Sequence, residues 1–222
     1  MEKKIINLGG VNCYLITNSG QFILIDTGIS AKRAVLEEEM INAGCRPGNL
    51  KLVILTHGDS DHVENAAYLQ NKYGAKIAIH QYDSGMVERG DMTWNRKAKP
   101  DKLSAIFRFM ILVFSIFMKP NKFDKFKPDV LIENEYVLSD YGFDVKVLNI
   151  PGHSKGSIGI LTNEGDLFCG DLIYNIPGFL FIDDLADFNA SIGKLKKLGI
   201  NMVYPGHGKP FTWKRYLSKR QK

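Results

Sequence analysis

Thr56-His57-Gly58-Asp59-Ser60-Asp61-His62 follows directly on the apolar run Leu52-Val53-Ile54-Leu55. A short aliphatic run bounded by polar residues reads as a buried strand, so the cluster sits on the loop that leaves a strand end. Four potential metal ligands, His57, Asp59, Asp61 and His62, fall within six residues. Buried, unpaired carboxylates and imidazoles cost on the order of several kcal/mol unless they are paired or bound to an ion. Imidazole suits zinc and iron, while carboxylate oxygen suits harder cations and can bridge two of them. Alternation along the chain would send His57, Asp59 and Asp61 to one side, with His62 turned away from them.

The same grammar recurs on either side. Val11–Thr17 and Gln21–Asp26 read as a hairpin around Asn18-Ser19-Gly20, and the second strand ends at Asp26-Thr27-Gly28. Val145–Ile150 leads into Pro151-Gly152-His153, Asp166–Cys169 into Gly170-Asp171, and Met202–Tyr204 into Pro205-Gly206-His207-Gly208. Helical periodicity covers 31–43, 63–73 and 188–198, each closed by a glycine. Strands alternate with helices throughout, which predicts an α/β fold in a single domain over residues 1–222. Strand ends are rigid and the loops beyond them expose side chains, a placement suited to holding ligands in fixed geometry.

Taken in order, His57-x-Asp59-x-Asp61-His62, Pro-Gly-His153-Ser-x-Gly-Ser157, Gly170-Asp171 and Pro-Gly-His207-Gly resemble the metallo-β-lactamase superfamily. Asp26-Thr27-Gly28 and the Asn12-x-Tyr14-Leu15 opening match that family's N-terminal motifs. The resemblance spans nearly the whole chain except about 90–130. It implies a four-layer αβ/βα sandwich with metals at one edge of two facing sheets. Carried over residue by residue, it implies one cation on His57, Asp59 and His153, a second on Asp61, His62 and His207, and Asp171 bridging both. Asp26 resembles the family's acid that orients a ligand histidine, and it reads equally as the capping Asp of a turn before Gly28.

The chain departs from the family's hydrolases at Asp59, where the glyoxalase II and lactonase types carry His. Flavodiiron proteins resemble this chain in having an acid there, and they use iron. The resemblance implies a pair of divalent ions, which three carboxylates and one hydroxide would balance; zinc is expected first, with iron or manganese as the alternatives that the harder Asp59 ligand favours. The expected activity is hydrolysis of an ester, thioester or lactone-like small molecule by a hydroxide activated between the two ions, with Asp61 as the proton acceptor. A diiron redox centre served by a separate electron donor is the alternative, and a non-catalytic metal-binding protein is the third reading.

Composition narrows the field further. The chain has 222 residues, 45% hydrophobic and 24% charged, which excludes a disordered tail, a coiled coil and a disulfide scaffold. Cys13, Cys45 and Cys169 are odd in number and form no CxxC pair, which points to a reducing, cytoplasmic setting. No apolar stretch follows the N-terminal lysines, so no signal peptide is expected. The longest apolar run, 109–118, is about half a bilayer span.

The net charge of +5 is uneven. Residues 95–127 hold nine basic and two acidic side chains, leaving the remainder slightly acidic. No nucleic-acid partner is expected from such a distribution. Residues 103–118 are apolar on nearly all sides apart from Arg108, within a basic and apolar helical insertion at about 90–130. Three roles are open to that segment: a lid that contacts an apolar or acyl-bearing substrate, a buried or homodimer-forming helix, or a contact with a membrane surface.

Overall fold

The computed structural model describes residues 1–109, 123–133 and 135–219. Alternation of apolar side chains along its strands builds two facing sheets. The first runs, in spatial order, β1 (Glu2–Asn7), β2 (Asn12–Asn18), β3 (Gln21–Ile25), β4 (Leu50–Ile54), β5 (Lys76–His80) and β7 (Val130–Ile132). The second runs β14 (Phe211–Thr212), β13 (Met202–Pro205), β11 (Asp166–Gly170), β10 (Ile158–Thr162), β9 (Val145–Asn149) and β8 (Tyr136–Val137). A two-stranded ribbon of β6 (Lys102–Leu103) and β12 (Phe181–Ile182) lies apart from both. The helices are α1 (Arg33–Asn42), α2 (Ser60–Val63), α3 (Ala66–Tyr73), α4 (Gln81–Arg89), α5 (Leu185–Leu195) and α6 (Trp213–Lys219).

Period-two alternation explains the layering, because successive side chains point to opposite faces. Along β2 and β3, Leu15 and Leu24 point outward to Leu36 and Met40 of α1 and Leu69 of α3. Their neighbours Tyr14, Ile16, Ile23 and Ile25 point inward and meet Val145, Val147, Ile160 and Phe168 of the second sheet. That sheet's other face, including Leu148, Leu167 and Val203, packs on Phe188, Ile192 and Leu195 of α5. Three apolar seams therefore separate four layers, the αβ/βα sandwich the motifs imply. Each fully buried Leu or Ile is worth about 1.5–3 kcal/mol, whereas an exposed ion pair is worth about 0–1. Packing between layers, rather than surface charge, holds the scaffold of the strand-end loops.

Several expectations need adjustment. The helix expected over 63–73 begins only at Ala66, as α3; Glu64 and Asn65 separate it from α2, an unexpected turn of helix at Ser60–Val63. α4 and the edge strand β1 have no counterpart in the sequence reading. In the segment expected to form a helical insertion, residues 91–104 are turns and the β6 strand, and a helix begins at Ala105. Most of the apolar stretch 103–118 lies outside the described residues. Phe107 is partly covered, while Ile106 and Phe109 are exposed. Among the described residues, no helix is long and apolar enough to cross a membrane.

Candidate metal centre

β3 and β4 run parallel, as do β11 and β13, and β9 runs in the same direction as β11 across β10. The carboxyl ends of these strands therefore emerge at one edge, where α/β sheets place their ligands. Asp26 leaves β3, His57 follows β4, His153 follows β9, Asp171 directly follows β11 and His207 follows β13. The two sheets are tied at that edge through the backbone: Ile158 N donates to Thr56 O at 2.9 Å and Asn12 N to Gly206 O at 2.8 Å. Asn12 Nδ2 and Tyr14 Oη also donate to Pro205 O, at 3.0 and 2.6 Å, and so steady the turn that carries His207.

All seven motif side chains meet there. The ligand atoms of His57, His153 and Asp171 lie within 4.8 Å of one another, and so do those of Asp61, His62 and His207. Asp171 Oδ2 stands 3.2 Å from His207 Nε2 and Oδ1 stands 3.4 Å from His62 Nε2, so this carboxylate faces both groups. Asp59 lies beside the first group, with Oδ2 at 3.0 Å from His153 Nε2 and 3.6 Å from His57 Nε2. Its other oxygen is taken by Arg96. Simple alternation does not survive in the loop: Asp59 precedes the helical turn α2, which swings His62 back toward Asp61 and places its ring 4.1 Å from that of His57.

Three of the rings are oriented from behind. His62 Nδ1 donates to Asp26 Oδ2 at 2.9 Å and His207 Nδ1 donates to the carbonyl of Gly10 at 2.7 Å. Thr56 Oγ1 gives its own proton to Asp26 Oδ2 at 2.8 Å and so accepts from His57 Nδ1 at 2.9 Å. With Nδ1 the donor in each case, Nε2 points into the cluster, the nitrogen that would be left to bind a metal. Asp26 thus combines both sequence readings, since Oδ1 also accepts from Thr56 N at 2.7 Å.

The buried acids of the cluster are held ionised by their neighbours. Burial raises the Asp171 carboxyl, but His207 and His62 outweigh it and hold the group well below the ordinary range. Burial likewise opposes ionisation of Asp59, and the Arg96 guanidinium overcomes it. Buried polar atoms are normally hydrogen-bonded, yet His57 Nε2 and Asp171 Oδ1 have no hydrogen-bond partner among the described residues. Both atoms face the cluster, and a divalent cation would satisfy them. The residues present therefore fit the metals that this motif order implies.

Three contributors escaped the sequence reading. Asp83 on α4 accepts from Gly58 N at 3.1 Å, Ser154 Oγ at 2.7 Å and Gly156 N at 2.9 Å, tying the His57 and His153 loops together. Tyr174 brings its hydroxyl to 3.1 Å from His153 Nδ1. Arg96 also donates to the carbonyl of His153. None belongs to a spaced motif, and only folding brings them to the edge.

A family profile for the Metallo-beta-lactamase superfamily matches residues 6–207. The chain is 26% identical over 209 residues to the Beta-lactamase-like protein 2 homolog of Caenorhabditis elegans, covering 90% of this chain and 57% of that protein. It is 31% identical over 166 residues to the Hydroxyacylglutathione hydrolase GloC of Haemophilus influenzae, covering 73% and 66% respectively. Among solved structures it superposes on a metallo-beta-lactamase family protein of Thermus thermophilus with a TM-score of 0.71 at 24% identity, over 99% of this chain and 78% of that one. The chain thus spans between half and two thirds of the length of the two curated relatives. Profile, fold and strand-end motifs agree, and the chain belongs to the metallo-beta-lactamase superfamily.

Proposed function

We propose that this chain is a metal-dependent hydrolase that cleaves an ester, thioester or lactone-like bond in a small molecule. The observation that carries the reading is the convergence of seven His and Asp side chains from both sheets, six in two groups able to hold a metal and Asp59 beside the first, with three histidines held from behind so that Nε2 faces inward. His57, His153 and Asp171, with Asp59 beside them, would hold one divalent cation; Asp61, His62 and His207 would hold a second, with Asp171 facing both. Zinc is the first expectation for this histidine-rich set, ahead of iron or manganese.

Such cations supply Lewis acidity, which brings the pKa of a water molecule close to neutral and polarises a carbonyl. The chain's own groups do the rest. Asp61 is the most open of the acids, with 39% of its side chain exposed, and its Oδ2 lies 3.2 Å from His207 Nε2, so it is placed to accept a proton at the solvent side. Burial and then the nearby Asp171 keep the Tyr174 phenol protonated, so it remains a donor at neutral pH.

The wall beside the cluster supports an apolar or acyl-bearing substrate. The Phe181 ring lies 5.1 Å from that of His153, and Phe107 packs 5.6 Å from Phe181 and 5.2 Å from Phe179. The name of the Haemophilus relative, a hydroxyacylglutathione hydrolase, is consistent with an acyl substrate.

The test is elemental analysis of the purified chain together with turnover on a panel of esters, thioesters and lactones. His57→Ala and Asp171→Ala should lose both bound metal and turnover. Full turnover in a metal-depleted variant overturns the reading. The carboxylate at position 59 favours a diiron redox centre as the second reading; ferrous loading followed by oxygen consumption, without hydrolysis of any ester, would establish it instead.

A further inference from the structure

Arg96 stands outside every motif shared with the superfamily, yet it touches the centre. Its guanidinium is held at the cluster: Nη1 donates to the carbonyl of His153, Nη2 donates to Oδ1 of Asp59 and lies 3.5 Å from His153 Nε2, and Cζ sits 5.3 Å from the centroid of Phe181. Only 11% of the side chain is exposed. A charge buried this far is costly unless it is paired; its ion pair among the described residues is with Asp59, and the Asp83 and Asp183 carboxylates act on it from farther away.

The backbone that delivers Arg96 is anchored on both sides. Trp94 lies against Gly85 of α4, where a Cβ would collide with the indole, and Arg89 stacks 3.7 Å from the Trp94 centroid. Asn95 Nδ2 donates to Tyr82 O at 3.0 Å. Lys97 N donates to the Asp183 carboxylate at 3.3 Å, and Asp183 N in turn donates to Gly152 O at 2.8 Å, one residue before His153. The segment therefore places one guanidinium against the His153 loop rather than covering the cluster loosely.

Two consequences follow for Asp59. With Oδ1 taken, Oδ2 alone faces the ring nitrogens, at 3.0 and 3.6 Å. The charges of the carboxylate and the guanidinium cancel, so together they bring to the centre no net charge, as a neutral imidazole would. We propose that Arg96 is a positioning residue for the metal centre, restricting Asp59 to one donor oxygen and cancelling its charge, so that the Asp59–Arg96 pair serves as a neutral ligand. The inference rests on the metal-binding reading given under Proposed function. It makes the 91–104 segment part of the centre.

A double-substitution cycle on the full chain tests it, with Zn²⁺ and Mn²⁺ dissociation constants measured by chelator competition and unfolding of each metal-free variant followed by circular dichroism. Asp59→His alone should weaken zinc binding about tenfold or more, because Arg96 then faces the ions unpaired. Adding Arg96→Gln to it should recover most of that loss. In the Asp59 background, Arg96→Gln should instead shift selectivity toward Mn²⁺ by about threefold or more, since the freed carboxylate offers two oxygens and its full charge. Arg96→Lys, which keeps the charge, should hold zinc near the parent affinity with Asp59 present and should give no recovery with Asp59→His. Additive effects of the two substitutions on zinc affinity overturn the proposal while leaving the metal centre intact. A parent chain that takes up no divalent ion overturns both.

Discussion

Asp26 Oδ2 lies 2.9 Å from His62 Nδ1, and both residues are almost wholly buried. The same carboxylate accepts from the backbone and hydroxyl of Thr56, so one acid sets the orientation of His62 directly and of His57 through Thr56. Asp26→Asn preserves the shape and tolerates the positive φ of 58° at this position, but it removes the charge and one acceptor. Metal affinity should fall by ~10–100-fold, read by chelator competition. An unchanged dissociation constant would show that Asp26 serves only as the cap of its turn.

Stripping metal with a chelator should abolish turnover, and adding Zn²⁺ back should restore it. The melting temperature should rise with metal concentration as well, since an ion that binds only the folded chain stabilises it by mass action. A melting temperature indifferent to the ion would count against the centre.

The metal-free chain should show an unusual pH response. Burial opposes protonation of His207, but Asp171 and Asp61 outweigh it and raise its pKa from 6.5 to about 10. Below pH 6.5 this proton is bound in folded and unfolded chains alike; between 6.5 and about 10 the folded chain alone retains it. The stability this supplies is therefore complete below the unfolded value and is lost as pH rises through the folded one. Urea midpoints of the chelated protein should fall over that window. Bound metal displaces the proton, so the same trend should be weaker in the loaded chain.

Gly206 has no room for a side chain: a Cβ would overlap Asp171 Oδ1 and stand 2.7 Å from Cε1 of His62. Gly206→Ala should displace one ligand from each half of the cluster, with a stability loss of about 1–3 kcal/mol from overpacking and a larger loss of bound metal. Elemental analysis and denaturant titration on the same sample would separate the two effects.

Phe107 belongs to the aromatic wall beside His153 but touches no ligand motif. Phe107→Ala should lower kcat/KM for bulky acyl substrates while sparing acetyl ones, a discrimination of about 10-fold or more if the ring packs on the acyl group. Equal losses on both would place the ring in the scaffold instead.

The ligand motifs were legible because chemistry and strand ends coincide in the sequence: an aliphatic run followed at once by His or Asp needs no long-range information. β3, β4, β9, β11 and β13 were visible for the same reason, their apolar side chains being buried on both faces. α4 was hidden because Gly85 interrupts it at about 1 kcal/mol relative to Ala, and the gain comes from seating Trp94, a contact no local pattern announces. β1 was hidden because its residues are largely exposed on a sheet edge. Asp83, Arg96 and Tyr174 reach the centre from positions where an isolated Asp, Arg or Tyr has an ordinary surface meaning. What placed them is tertiary: Asp83 bonds residues 25 and 71 positions away, and Arg96 bonds residues 37 and 57 positions away.

The candidate ligands divide between the sheets: His57, Asp59, Asp61 and His62 leave the first, His153, Asp171 and His207 the second. Neither half of the polypeptide owns a full coordination set, and the last contributor arrives only with β13, close to the end of the described chain. A cation held by Asp61, His62 and His207 would act as a rivet between the first sheet and the last strand, and its capture would mark the completion of assembly. In refolding experiments, uptake of the ion assigned to His207 should trail the docking of Met202–Pro205 onto β11.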